Sequence, residues 1–350
     1  MIESARDHPV RPQPDWPAGS VTILQFNSAA LRDNPWGDPT SRELAVYQAP
    51  GIGPDDGPFP IIWHLAAYTN SGQGQLNWRN HGENLPQRLD RLIHEKKLGP
   101  VRIALPDCYT SLGGNQYLNS SAVGRYQDYL LDELQPLLND RFNNARHGVA
   151  GKSSGGYGAL VLGMKFPDRF QALASHAGDL AFDLVYRPDF PLACLTLAQQ
   201  EYDLNAFIHK FWRDEQPASA AFHTLMILGL AASYDPDPTQ PLGFSLPFDP
   251  RSCALDRARW AQWLAHDPLQ LVEKYSAQMK LLRGIYFDVG NRDQYHLQFG
   301  ARQLHSKLQN LGVVHRFDEF EGTHSGIDHR LDESLPFIYQ ALINSDEDAI

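Results

Sequence analysis

The sequence predicts an α/β architecture: one eight-stranded, mostly parallel sheet flanked by helices, with a helical insertion after the sixth strand. Two observations lead to it. Short apolar runs alternate with longer stretches of helical period along most of the 350 residues, the pattern of parallel strands joined by helical crossovers. A glycine-rich segment, Gly151-Lys152-Ser153-Ser154-Gly155-Gly156-Tyr157-Gly158, also lies where one apolar run meets a helical stretch, as a sharp strand-to-helix turn requires. A hydrophobic share of 42% supports one large domain with an insertion, or two domains.

The first two runs, 21–26 and 44–47, are divided by the turn-rich Asp33-Asn34-Pro35-Trp36-Gly37-Asp38-Pro39 and are expected to pair antiparallel. Further strands are expected at 60–65, 101–105, 148–150, 172–174, 284–288 and 313–317, with amphipathic helices around 85–98, 124–138, 155–165, 297–311 and 331–342. The stretch 179–281 breaks the alternation. It is too long for a simple crossover and carries Phe207, Phe211, Trp212, Phe222, Trp260 and Trp263 among prolines and Asp-Pro pairs. It is expected to form a helical cap over the carboxyl ends of the strands, where open parallel sheets hold their ligands. Most of its aromatics should bury one another, and some should face the cleft. The expected organisation is an N-terminal extension at 1–20, a core of 21–178 and 282–350, and the cap at 179–281.

A formal net charge of −11 and a pI near 5.6 argue against nucleic acid and anionic membrane surfaces as partners. No run of about eighteen apolar residues is present to span a bilayer. Pro9, Pro12, Pro14 and Pro17 replace the basic start and apolar centre of a signal peptide. Cys108, Cys194 and Cys253 are odd in number, widely spaced and without metal-ligand pairing, as suits small core residues in a reducing cytoplasm.

Gly151-Lys152-Ser153-Ser154-Gly155 fits G-x-S-x-G, in which the serine occupies a strained turn and flanking glycines let neighbouring backbone pass. Ser153 is the candidate nucleophile. The Ser154 amide, at the N-terminus of the following helix, is the candidate donor to an oxyanion. A phosphate-binding loop ending in Gly151-Lys152-Ser153 would need glycine where Arg146 stands, and a dinucleotide fingerprint starting at Gly156 fails at Val161. A glycine-rich turn that merely packs helix on strand is the bland alternative.

A serine nucleophile needs a base and a carboxylate to orient it. Asp293, in a loop after one expected strand, and His324, in the loop after the next, follow Ser153 in the order Ser, Asp, His. Rivals are Asp288, inside the strand run and expected to pair locally, and Asp179, which could supply the acid in a rearranged triad. Competing bases are His176 and His329, the latter at the start of the last helix. His324 and His329 flank Asp328, but no third ligand set stands nearby, so no metal is expected. The loop after the third strand should supply the second oxyanion donor, and by position that is the Tyr68 amide. Gln116 and Tyr117, in the loop 106–120, are candidate substrate contacts or simply loop packing.

These motifs resemble those of one branch of the α/β-hydrolases, which includes esterase-D-like enzymes (S-formylglutathione hydrolases), enterochelin esterases, feruloyl esterases and mycobacterial mycolyltransferases. Leu65-Ala66-Ala67-Tyr68-Thr69 matches the frame of that family's Leu-His-Gly-aromatic loop, with Ala66-Ala67 in place of His-Gly. The elbow with its trailing Gly156-Tyr157-Gly158-Ala159-Leu160, the helix carrying Arg125-Tyr126 through Glu133-Leu134, Gly290-Asn291-Arg292-Asp293 and Gly322-Thr323-His324-Ser325 carry the rest. The resemblance covers roughly 21–178 and 282–345 and leaves out the cap. It implies the α/β-hydrolase fold and a serine carboxylesterase working through an acyl-enzyme on a small-molecule ester, without a cofactor. It also brings a homodimer as a prior. Acyl transfer or thioester hydrolysis by the same triad, and a non-catalytic binding protein on this fold, stay open.

Overall fold

The computed structural model describes residues 16–79 and 82–344; most of the extension expected at 1–20 lies outside the described residues. Eight strands form one sheet: β1 (Ser20–Asn27), β2 (Ser41–Gln48), β3 (Phe59–Leu65), β4 (Arg102–Pro106), β5 (Asn144–Lys152), β6 (Ala172–His176), β7 (Gly284–Gly290) and β8 (Arg316–Phe320). Their spatial order is β1-β2-β4-β3-β5-β6-β7-β8. β2 runs antiparallel to β1 and to β4, and every other neighbouring pair is parallel.

Strands β4, β6 and β7 are buried along their whole length, and β3 along all but its first residue. That is why their sequences read as mostly apolar runs rather than alternating ones. β1 lies at the edge and leaves Val21 and Ile23 exposed. β8 begins three residues later than expected. The chain closes the preceding helix by donating Val313 N–H to Leu308 O (2.9 Å), so pairing with β7 starts only at Arg316, opposite Tyr286.

In the core, the helices are α1 (Leu85–His94), α2 (126–141, with a π-helical middle at Tyr129–Leu134), α3 (Ser154–Lys165), α11 (Leu297–Asn310) and α12 (Leu331–Ile343). α1 starts at a capping box in which Asn84 and Gln87 satisfy each other's backbone amides. Leu85, Leu89 and Leu92 of α1 join Leu335, Ile338 and Leu342 of α12 in the apolar layer on one face of the sheet. The other face is covered by α2, α3 and α11.

Between β6 and β7 the chain forms α4 (Phe182–Val185), α5 (Phe190–Ala198), α6 (Leu204–Arg213), α7 (Ser219–Tyr234), α8 (Arg257–Leu264), α9 (Pro268–Lys274) and α10 (Ser276–Met279). α9 packs on α3 and α11, and α10 on α3, so these last helices take a place in the core layer. The insertion is joined to α3 by an aromatic column. Tyr157 of α3 meets Tyr234 (5.7 Å between centroids), Tyr234 meets Phe182 (5.1 Å) and Trp263 (5.5 Å), and Phe182 meets Tyr186 (4.6 Å). Phe207, Phe211, Phe244, Phe248, Trp260 and Trp263 are buried, whereas Trp212 and Phe222 are exposed.

The Phe182 side chain is fully buried and wholly apolar. Phe182→Ala is expected to lower stability by about 3–5 kcal/mol in urea unfolding, with an unchanged m-value.

Candidate active site

The site is built around the turn from β5 into α3. Ser153 stands there at φ 57°, ψ −123°, a conformation that costs a non-glycine residue about 1–3 kcal/mol. Its neighbours enforce it. A Cβ on Gly151 would lie 2.3 Å from the backbone of Gly155, and one on Gly155 would lie 2.2 Å from Leu65 O. Both positions must therefore be glycine, as the two glycines of the motif predict. The Ser153 amide is tied to His176 O at 2.9 Å. Serine is a preferred helix cap, yet Ser153 makes no capping bond to α3. Its hydroxyl is turned into a cavity of about 530 Å³, and among the described residues no hydrogen bond takes up the Ser154 amide.

The loop after β3 faces this turn. Thr69 N–H donates to Gly113 O (2.8 Å) and Asn70 N–H to Ala67 O (3.0 Å), while the Tyr68 amide, like that of Ser154, has no hydrogen bond among the described residues. Neither Ala66 nor Ala67 has a positive φ, so the loop adopts its course without the glycine of the related motif. Tyr117 OH donates to Ala66 O (2.5 Å) and Gln116 Nε2 to Ser154 Oγ (3.0 Å). Neither Gln116 nor Tyr117 lines the cavity; both are buried, Tyr117 bonded to the loop after β3 and Gln116 to the start of α3.

Asp293 and His324 are brought together from the loops after β7 and β8. Arg292 N–H donates to Gly322 O (2.9 Å) and Asn291 N–H to Phe320 O (2.8 Å), which lays the loops side by side. Asp293 is 2% exposed. Its Oδ1 accepts the Tyr295 amide (2.8 Å) and its Oδ2 lies 2.8 Å from His324 Nδ1. With Nδ1 donating, Nε2 of His324 is left as an acceptor. His324 lines the same cavity as Ser153, with the ring of Tyr295 edge-on at 4.8 Å.

The rivals have other occupations. Asp288 is sealed in the core, where its carboxylate meets His176 Nδ1, Arg330 Nε and Tyr286 OH, each at 2.8 Å. Burial opposes its charge, but His176 and Arg330 outweigh that and hold the carboxyl below its ordinary value. His176 Nε2 lies 2.8 Å from Ser334 Oγ, so Ser334, His176 and Asp288 form a second Ser-His-Asp run, fully buried and away from the cavity. His329 approaches Gly326 O (3.2 Å) and does not reach the cavity. Among the described residues no group of three or more His, Cys, Asp or Glu side chains is placed to hold a metal ion.

Asp179 does line the cavity. Ser153 Oγ approaches its Oδ1 (3.5 Å), and Tyr186 OH (2.9 Å) and Ser154 Oγ (3.4 Å) approach its Oδ2. Tyr186, His223 and Tyr295 complete that wall and carry no motif that marks them in the sequence. Asp189, at 2.9 Å, holds His223 above its ordinary pKa.

Burial pushes the Asp179 carboxyl up to about 6, against the Tyr186 hydrogen bond and the charge of His324, with Asp293 adding to the rise. Because folding raises this pKa, the folded chain keeps a proton that the unfolded chain has released. Stability is therefore lost as pH rises from about 4 through about 6. A shift of about two units corresponds to about 3 kcal/mol. Asp179→Asn is expected to raise the melting temperature at pH 8 and leave it nearly unchanged at pH 4, as calorimetry at the two pH values would read.

Residues 114–332 match the family model described as "Putative esterase". A ferulic acid esterase superposes with a TM-score of 0.58 at 16% identity, over 93% of this chain and 99% of that one. Fluorophosphonate-binding serine hydrolase F of Staphylococcus aureus gives 0.56 at 15% identity (92% and 99%). An S-formylglutathione hydrolase from Agrobacterium tumefaciens gives 0.54 at 16% identity (94% and 98%). At these identities the likeness shows the α/β-hydrolase fold, and the family model, which spans well over half of the chain, goes further: the chain belongs to the Putative esterase family and is a carboxylic ester hydrolase.

Proposed function

We propose that Ser153, His324 and Asp293 are a catalytic triad that hydrolyses a small-molecule carboxylic ester through an acyl-enzyme. One observation carries the reading: a serine held at positive φ on the strand-to-helix turn shares its cavity with a histidine bonded at 2.8 Å to a buried aspartate. Ser153 Oγ attacks the carbonyl carbon as His324 Nε2 takes its proton, and Asp293 holds the imidazole in the required tautomer. The carbonyl oxygen becomes an oxyanion between the Ser154 and Tyr68 amides, whose donors have no other hydrogen bond among the described residues. Collapse of this intermediate breaks the bond to the leaving oxygen, which receives the proton from His324. Water then attacks the acyl carbon, gives its proton to His324 and releases the acid as Ser153 recovers its own.

The inserted helices act as a cap in this reading, since Val185, Phe222, His223 and Met226 wall the cavity opposite the turn. Gln116 and Tyr117 position the oxyanion donors. Tyr117→Phe removes the bond to Ala66 O and loosens the loop that presents Tyr68.

A panel of chromogenic esters tests the nucleophile. Ser153→Ala is expected to lose a factor of about 10³ or more in kcat, and a fluorophosphonate should label wild type and not the mutant; full activity in the mutant overturns the triad. The two buried aspartates separate the roles. Asp293→Asn should cut kcat by about 10³–10⁴ with little change in unfolding. Asp288→Ala leaves His176 and Arg330 without their carboxylate, and unfolding should show a loss of about 3–5 kcal/mol.

A further inference from the structure

The ester chemistry leaves Asp179 unused. The residue is buried, lines the cavity and directs Oδ1 at the nucleophile from 3.5 Å, yet among the described residues no lysine or arginine pairs with it. Lys152 shares the cavity, but the charges acting on it are those of Asp328, Asp293 and Arg79. A buried carboxylate is normally retained only when a cation or several donors compensate it. Here the donors are the Tyr186 hydroxyl and two distant serine hydroxyls. The carboxylate also stands beside the nucleophile, where the charge of His324 acts on it and that of Asp293 opposes its ionisation.

A cation on the substrate would relieve that burial, and the acyl α-carbon is the position nearest the reacting carbonyl that can carry one. In an ester whose carbonyl carbon is within reach of Ser153 Oγ, a nitrogen on the acyl α-carbon lies about 2.5 Å from the carbonyl carbon. A carboxylate 3.5 Å from Oγ can come within hydrogen-bond reach of that nitrogen. We propose that Asp179 is the specificity-determining residue for a protonated α-amino group, so that the preferred substrates are esters of α-amino acids. The wall formed by Val185, Phe222, Met226 and Leu297 receives the amino-acid side chain. The proposal rests on Ser153 being the acylated nucleophile. Burial raises the carboxyl pKa only to about 6, so near pH 7 the group is anionic and available to an ammonium.

The test compares 4-nitrophenyl esters of alanine and of isobutyric acid at pH 7, an isosteric pair in which ammonium replaces methyl. The ratio of their kcat/KM values is measured in wild type and in Asp179→Asn, which cancels the different intrinsic reactivity of the two esters. The ratio is expected to fall at least tenfold in the mutant; a smaller change overturns the inference. A second measurement needs no mutant. L-alaninamide should slow fluorophosphonate labelling of wild-type Ser153 at concentrations where isobutyramide does not, and equal protection overturns the inference. If Ser153 is labelled and Ser153→Ala is inactive but these comparisons fail, only the role of Asp179 is refuted. If wild type is neither labelled nor active on either ester, the triad reading falls with it.

Discussion

Strand β5 and helix α3 meet so closely at Ser153, and both lie so close to β3, that there is no room for a side chain at Gly151 or Gly155. This contact holds the serine at positive φ, and the rest of the site is arranged with respect to it. The hydroxyl does not cap α3, and among the described residues the first amide of that helix has no hydrogen bond. The same approach brings the loop after β3 alongside, with Tyr117 and Gln116 behind it as struts. Strain at one residue is sustained because three elements of the core share it.

Three aspartates near the carboxyl ends of the strands show how surroundings assign different work to one side chain. Asp288, inside β7, is neutralised by His176 and Arg330 and ties β6 and β7 to the turn before α12. Asp293, in the loop just past the end of β7 at Gly290, offers one oxygen to a backbone amide and the other to His324. Asp179 has hydroxyls as its hydrogen-bond donors and the charge of His324 acting on it, and burial raises its proton affinity. The first belongs to the core and the second to the triad of the proposed mechanism, while the third carries a cost that a purely structural residue would not need.

Much of this was legible in the sequence, for identifiable reasons. Central strands buried on both faces are mostly apolar, so β3, β4, β6 and β7 stand out. The start of β8 did not, because the amide of Val313 is consumed in closing α11. The choice of Asp293 over Asp288 follows from one lying in a loop and the other inside a strand. Gln116 and Tyr117 were harder: no residue of their loop lines the cavity, their bonds reach Ser154 and Ala66, and no local pattern encodes such distant partners. Tyr186 and His223 come from inserted helices whose register over the sheet is set by packing alone.

The aromatic column between Tyr157, Phe182, Tyr234 and Trp263 bears on how molecules enter and leave. Helices α4, α7 and α8 are stacked through these rings onto α3, the helix whose first residue follows the nucleophile. Swinging them outward would break ring contacts at the centre of the protein and pull on the elbow itself. Passage is therefore left to the side chains at the rim, where Phe222 is already partly in solvent. Filling and emptying the cavity is then governed by rotamer exchange at a fixed doorway, a fast local process, rather than by the opening of a hinged domain.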